Sequence, residues 1–100
     1  MSGSPRFEWD EGNWPKCGKH GVSRAEIERL FDTDPIVLDD PYLGEPRLRA
    51  VGRTNAGRNL FVVFALRGGL IRPLSARYMR DKEAKRYVQE AEDLQTPPDG

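Results

Sequence analysis

Three arginines lie close together where an apolar stretch gives way to a charged one. Residues 70–83 begin with apolar residues interleaved with polar ones and end with charged residues at helical spacing, which predicts a strand followed by a helix. Arg72, Arg77 and Arg80 would then gather near one strand–helix junction. Guanidinium groups pair well with the planar oxygens of phosphate and carboxylate. The junction is therefore a candidate anion site, for RNA phosphate or for an acidic protein.

The formal net charge of the chain is zero, but its charges are unevenly distributed. Residues 47–88 carry eleven Lys and Arg against two acidic residues, a net charge of +9, and nine of the eleven are Arg. Residues 1–46 carry ten Asp and Glu against five Lys and Arg. This asymmetry is typical of a protein that binds nucleic acid or an acidic partner. The alternative is that the charges belong to solvated faces of strands and helices.

Length and composition narrow the class of protein. One hundred residues predict a single domain, which we place at residues 7–93, with a disordered N-terminus at 1–6 and a frayed tail at 94–100. No apolar run is long enough to span a bilayer, and no signal peptide is expected. With one Cys and one His, neither a disulfide within the chain nor a dedicated zinc site is expected, and no cofactor is predicted. A cytoplasmic location follows as the default expectation.

Three helices are predicted. Asp10 is placed to cap a first helix that reaches about Lys19, although Pro15 and Gly18 should shorten or kink it. The segment Ser23–Glu26 has the pattern of a capping box and begins a second, short helix. Residues 81–93 have helical spacing of apolar residues and form the last helix.

Four strands are predicted between the second and last helices, at residues 36–38, 47–53, 60–66 and 70–77. Short turns, including the Gly68-Gly69 pair, connect the last three as hairpins. The prediction is an α+β fold with two N-terminal helices, a four-stranded antiparallel sheet and a C-terminal helix. The helices are expected on one face, giving two layers. Pro73 cannot donate a hydrogen bond to a neighbouring strand, so it predicts an edge position or a bulge.

Four segments together resemble the BrnT family of toxin–antitoxin ribonucleases. They are Phe7–Asp10, Lys19–Ser23 with Glu26, the basic strand 47–52 with its glycine-containing turn, and Ile71–Arg77 followed by a helix that bears a glutamate. The resemblance extends from about Phe7 to Tyr87. The Lys-His-Gly-Val-Ser and Ile-Arg-x-x-Ser-Ala-Arg patterns are specific in combination, although each alone is weak.

The resemblance implies a RelE-like fold and metal-independent cleavage of RNA. It also implies a cognate antitoxin similar to BrnA, whose ribbon-helix-helix part binds operator DNA, so that operator DNA is contacted only through the antitoxin. The alternative, which needs no resemblance, is a non-catalytic module that binds RNA or an acidic protein through the basic sheet.

Cleavage of RNA without a metal requires a proton acceptor, a proton donor and positive charge around the phosphate. Arg53 and Arg77, each at a strand end, are the candidates for phosphate stabilisation. Because an unperturbed imidazole changes charge near neutral pH, the single histidine, His20, is a candidate acid or base, but a His at a helix end often binds the carbonyls of the last turn instead. Lys19 is a candidate cation or a solvated side chain. Glu83 is a candidate base or a favourable charge at a helix N-terminus.

Further residues are candidates for RNA binding: Arg47, Arg49, Arg72, Tyr78 and Arg80. Arg47 and Arg49 share a face with Arg53 and could form a phosphate track or a solvated face. Arg72 and Arg77 are separated by an odd number of residues, which predicts opposite faces of the sheet. Tyr78 could stack on a base or pack against the last helix.

Overall fold

A computed structural model of the protein describes residues 6–41 and 44–95. The predicted disordered start at 1–6 and frayed tail at 94–100 lie largely outside these residues, as does part of the segment 39–46 between the first two predicted strands. The elements in chain order are α1 (Trp14–Gly18), α2 (Arg24–Leu30), β1 (Ile36–Asp39), β2 (Leu48–Arg53), β3 (Asn59–Arg67), β4 (Leu70–Met79) and α3 (Asp81–Gln95). In the part of the chain described, no helix combines the length and apolar character needed to cross a membrane.

The four strands form one antiparallel sheet in the order β1-β2-β3-β4. The α+β class, the element order and the sheet are therefore as predicted. β3 lies inside the sheet and is the most buried strand, in keeping with its nearly continuous apolar sequence. Gly68 and Gly69 both have positive φ, 56° and 82°, which a two-residue hairpin turn of this twist requires.

The helices lie on both faces of the sheet, and the prediction of a single helical face is wrong. α1 and α2 pack with Ala50 and Val62 in the larger core cluster. Val51 and Phe61, the neighbouring residues on these strands, pack with Ala84 and Tyr87 of α3. Because successive residues of a strand point to opposite faces, α3 covers the face opposite α1 and α2. β2 and β3 have apolar residues on both faces, so both faces of the sheet are covered by helices.

Pro73 lies at a β-bulge in the edge strand β4, as predicted. The β3–β4 register pairs Val63 with Ser75 and Phe64 with Pro73, which leaves one extra residue on β4. The extra residue reverses the alternation of side chains along the strand. Arg72 therefore pairs with Ala65 and Arg77 with Phe61; these two β3 residues are four apart and lie on one face. The prediction that Arg72 and Arg77 lie on opposite faces is wrong because of this bulge.

The first helix is shorter than predicted. It begins after Asn13, which occupies the cap position assigned to Asp10, and ends at Gly18. The proline near its start is tolerated because the first turn lacks hydrogen-bond acceptors for its amides. The capping box of α2 is confirmed, since the Ser23 hydroxyl accepts from the Glu26 amide and the Glu26 carboxylate accepts from the Ser23 amide.

Asn13 joins the N-terminal segment to the bulge. Its side chain is 1 % exposed. Its Nδ2 donates to the carbonyl oxygens of Glu8 and Pro73, both at 2.8 Å, and its Oδ1 accepts from the amide of Asp10 at 2.8 Å. The backbone of the N-terminal segment also pairs with Ile71, through Glu8 N to Ile71 O at 2.8 Å. The outer edge of β4 is thereby held by the start of the chain.

Replacing Asn13 by Ala should destabilise the fold by about 2–4 kcal/mol, since it leaves buried backbone groups without partners. Urea denaturation at pH 7 measures the loss. Asn55→Ala, at an exposed position, is the matched control and should stay within about 0.5 kcal/mol of the parent protein. A similarly small change for Asn13→Ala would contradict the anchoring role.

Candidate functional site

The ends of β2 and β4 lie at the same end of the sheet. Arg53, the last residue of β2, pairs with Asn59 of β3, and Asn59 pairs with Met79, the last residue of β4. The ends of β2 and β4 are therefore separated only by the width of β3. Two strand spacings amount to roughly 10 Å. Arg53 and Arg77, whose proximity the sequence left open, are thus brought to one end of the sheet. Alternation places Arg77 on the face covered by α3, whereas Arg53, at the end of β2, borders a pocket formed with α2 on the other face.

Asn59 fixes the start of α3 at this end. Its side chain is buried, and its Nδ2 donates to Asp81 Oδ1 at 2.7 Å. Only Arg80 lies between β4 and α3, so the strand and the helix are joined almost directly. Asn59 was not among the residues predicted from the sequence. The signal was a polar residue at the start of an otherwise apolar strand.

Arg77 and Glu83 form a two-pronged ion pair across this junction. Arg77 Nη1 lies 2.8 Å from Glu83 Oε1, and Nη2 lies 2.6 Å from Oε2. The guanidinium also lies over the Phe61 ring, 4.7 Å from its centroid. The hydrogen bond from Arg77 lowers the pKa of Glu83, and the same bond raises the pKa of Arg77. Both side chains are part-exposed, 40 % and 33 %, so an incoming anion can reach the guanidinium.

A shallow pocket beside this pair is strongly cationic; we call it the strand–helix pocket. It is lined by Arg77, Tyr78, Arg80, Lys82, Glu83 and Arg86. Four cationic side chains therefore surround one carboxylate, and that carboxylate is held by Arg77. Lys82 and Arg86 are exposed, one helical turn apart on α3. These two residues were not among the predicted site residues, although their spacing of four predicts a common helix face. Such an arrangement can hold a phosphate group.

Tyr78 points away from α3 and joins the opposite core. Its hydroxyl donates to Glu26 Oε1 at 2.7 Å, and its ring packs on the cluster of α1 and α2. The Arg58 guanidinium lies 3.4 Å from the ring centroid. Burial and the Glu26 carboxylate raise the pKa of Tyr78, so the hydroxyl stays protonated. The alternative of packing against the last helix is wrong; Tyr78 secures α2 to β4, and Arg58 covers its ring.

Two other predicted RNA-binding arginines are held by carboxylates. Arg49 lies 3.1 Å from Glu90 of α3 and stacks on Tyr87. Arg72 lies 2.8 Å from Glu8 and 2.9 Å from Asp10. Their side chains are only 14 % and 11 % exposed. These ion pairs tie the N-terminal segment and α3 to the sheet.

The remaining predicted residues lie apart from the Arg77–Glu83 pair or at its margin. Lys19 and His20 are exposed after α1. Within the described residues, no hydrogen bond joins the His20 side chain to last-turn carbonyls or to the strand–helix pocket. Arg47 precedes β2 and is partly buried. Arg80, by contrast, lines the pocket directly.

The fold and this pocket define a small α+β protein with a cationic site where a sheet end meets a helix. Residues 9–83 match the family described as ribonuclease toxin, BrnT, of type II toxin-antitoxin systems. The chain belongs to this family, as its resemblance predicted. Membership implies an RNA substrate and an antitoxin partner. A comparison with curated proteins found no match.

The matched residues end at Glu83, one turn into α3. The match therefore includes the whole sheet and both members of the Arg77–Glu83 pair. Most of α3, including Arg86 and Glu90, lies beyond the matched residues. The core of the candidate site belongs to the part of the chain that defines the family.

Replacing Glu83 by Gln should lower stability at pH 7 by less than about 1 kcal/mol, because the ion pair is part-exposed. The pKa of Glu83 is lowered by folding, so its contribution is present above the ordinary glutamate pKa of about 4.3 and is lost as the pH falls through the lowered value. The difference from the parent protein should therefore shrink toward pH 3. Urea denaturation at several pH values measures it.

The matched control is Glu11→Gln, at an exposed position where the carboxylate has no hydrogen-bond or ion-pair partner among the described residues. This variant should follow the parent protein at every pH. A Glu83→Gln difference that stayed constant from pH 7 to pH 3 would argue against a charged pair with Arg77.

Proposed function

We propose that this ribonuclease toxin is a metal-independent endoribonuclease whose scissile phosphate binds in the strand–helix pocket. The observation that carries the proposal is the Arg77 guanidinium, part-exposed and surrounded by Arg80, Lys82 and Arg86. Positive groups already in place around a phosphate stabilise the extra negative charge of the pentacoordinate state. The protein itself would thus supply the charge that a metal supplies in other nucleases.

The reaction would be an attack of the ribose 2′-oxygen on the adjacent phosphorus. The bond from phosphorus to the 5′-oxygen breaks, the 2′-hydroxyl gives its proton to a base, and the 5′-oxygen receives one from an acid. The products are a 2′,3′-cyclic phosphate and a free 5′-hydroxyl. Arg77 and Arg53 would meet one RNA strand laid across the end of the sheet.

Glu83 is the proposed proton acceptor. In the free protein its low pKa makes it a weak base, because Arg77 holds its charged form. A phosphate that binds Arg77 would compete with Glu83 and remove that stabilisation. The pKa of Glu83 would then rise, so that substrate binding itself would make the carboxylate a better base. His20 remains the candidate acid and Lys19 an auxiliary cation. Both lie outside the strand–helix pocket, so a bound RNA would extend from the pocket to reach them.

The partner proposed for this toxin is a BrnA-like antitoxin with a ribbon-helix-helix part, and operator DNA would be contacted only through that part. An acidic antitoxin segment has the charge to occupy the strand–helix pocket and exclude RNA. The antiparallel sheet with helices on both faces supports a RelE-like assignment. RNA substrate and antitoxin would meet the toxin in the cytoplasm.

Replacing Arg77 by Ala should lower the rate of RNA cleavage by about 100-fold or more, as expected on loss of a group that stabilises transition-state charge. Arg53→Ala should also lower it. Single-turnover cleavage of a structured RNA, with urea denaturation to confirm folding, measures the effect. Arg67→Ala is the matched control, because Arg67 is exposed and paired with Glu45, away from the pocket. Full activity in both Arg53 and Arg77 variants would refute these roles.

Cleavage by the purified protein should continue unchanged in excess EDTA, because side-chain cations provide the charge around the phosphate. Gel analysis of labelled RNA with and without EDTA tests whether cleavage requires a metal. A 3′ end that resists periodate oxidation indicates a cyclic phosphate product and tests the proposed attack by the 2′-oxygen. Cleavage that stops in EDTA and returns with Mg²⁺ would refute metal independence. RNA binding without cleavage would instead support the non-catalytic module.

A further inference from the structure

A second pocket opens beside α2, at the same end of the sheet as Arg77; we call it the α2 pocket. The residues that line it include Ala25, Arg29, Leu30, Arg53, Asn55 and Ala56. The residues come from α2, from the end of β2 and from the turn that follows it. Arg53 therefore borders this pocket and also lies near the strand end that carries Arg77.

The floor of the α2 pocket is apolar and well fixed. Leu30 is 2 % exposed, and a β-carbon on Gly52 would lie only 2.7 Å from its Cδ1. α2 therefore lies close against β2 at a position where only glycine leaves enough space. Glu26 also lines the pocket, but its carboxylate is engaged by Tyr78 and Ser23. The carboxylate is thus part of the wall rather than a free acceptor.

The rim has donors without carboxylate partners. Arg49, Arg67, Arg72 and Arg77 each have a carboxylate oxygen within 3.1 Å. Arg29 and Arg53 have none among residues 6–41 and 44–95, and both are exposed. The Asn55 side chain, also exposed, has no hydrogen-bond partner in this part of the chain. Two guanidiniums and an amide above an apolar floor suit a ligand with both a phosphate and a flat polar ring.

We propose that the α2 pocket binds a single nucleotide of the RNA next to the scissile phosphate, and that Asn55 and Arg29 select its base. The pocket volume of about 230 Å³ is below the roughly 300–1,000 Å³ of pockets for drug-sized ligands, which favours one base over two. An amide can read the hydrogen-bonding edge of a base, and guanidinium planes stack on bases. Arg53 would hold the phosphate between this nucleotide and the cleavage site. The inference rests on RNA being the substrate, as proposed above.

Binding of the four 5′-nucleoside monophosphates to the full chain in EDTA tests this inference without requiring cleavage. Titrations followed by two-dimensional amide NMR should shift the signals of Ala25, Asn55 and Ala56, with one base bound more tightly than the others. Arg29→Ala should weaken binding at least tenfold. Asn55→Ala should chiefly reduce the difference between bases. Arg67→Ala, outside the pocket, should change affinity less than twofold.

Several results would overturn the α2 pocket as a nucleotide site. They are the absence of shifts at these amides at millimolar nucleotide, equal affinity for inorganic phosphate, and protection of the pocket by an antitoxin but by no nucleotide. RNA cleavage without nucleotide binding here would overturn this inference and leave the proposed function standing. Nucleotide binding here without RNA cleavage would support the pocket and refute the enzyme.

Discussion

The register of the β3–β4 hairpin, with its bulge at Pro73, is the constraint on which the arrangement of charge depends. Without the extra residue, Arg72 and Arg77 would point to opposite faces; with it, both lie on the face of Phe61 and Ala65. Asn13 donates to the Pro73 carbonyl at 2.8 Å, so the N-terminal segment holds the bulge in place. Arg72 then reaches Glu8 and Asp10 of that segment. One irregular strand position thereby sets the direction of two arginines and the path of the chain's start.

Part of the charge excess of residues 47–88 is neutralised by contacts within the molecule. Arg49, Arg67 and Arg72 each pair with a carboxylate from the acidic parts of the chain. Arg58 lies on the Tyr78 ring. What remains accessible is concentrated at one end of the sheet, in the strand–helix pocket and around Arg53. The surface that can attract RNA is therefore much smaller than the net charge of +9 for this segment suggests.

The strands, the hairpin glycines, the capping box and the bulge could be predicted because each depends on local chemistry. The capping box is an exchange of hydrogen bonds between Ser23 and Glu26 alone, and Pro73 restricts its own strand. The face covered by α3 could not be predicted, because β2 and β3 are apolar on both faces and periodicity does not say which helix covers which. The length of α1 was missed because Asn13, rather than Asp10, satisfies backbone groups distant in sequence.

In the candidate site, too, the residues that could be predicted are those close together in sequence. Arg77 and Glu83 could be identified because they are only six positions apart across a predicted strand–helix junction, and they do meet. Their partners Lys82 and Arg86 follow from helix geometry once the start of α3 is known, but Asn59, which fixes that start through Asp81, is 22 residues away in sequence. Ion pairing also determines which cations can act. Arg72 holds two carboxylates and is nearly buried, whereas Arg77 shares one carboxylate and is 40 % exposed. Because a phosphate must displace only Glu83 to reach Arg77, binding at this junction requires less rearrangement than binding at Arg49 or Arg72, each of which lies near two carboxylates.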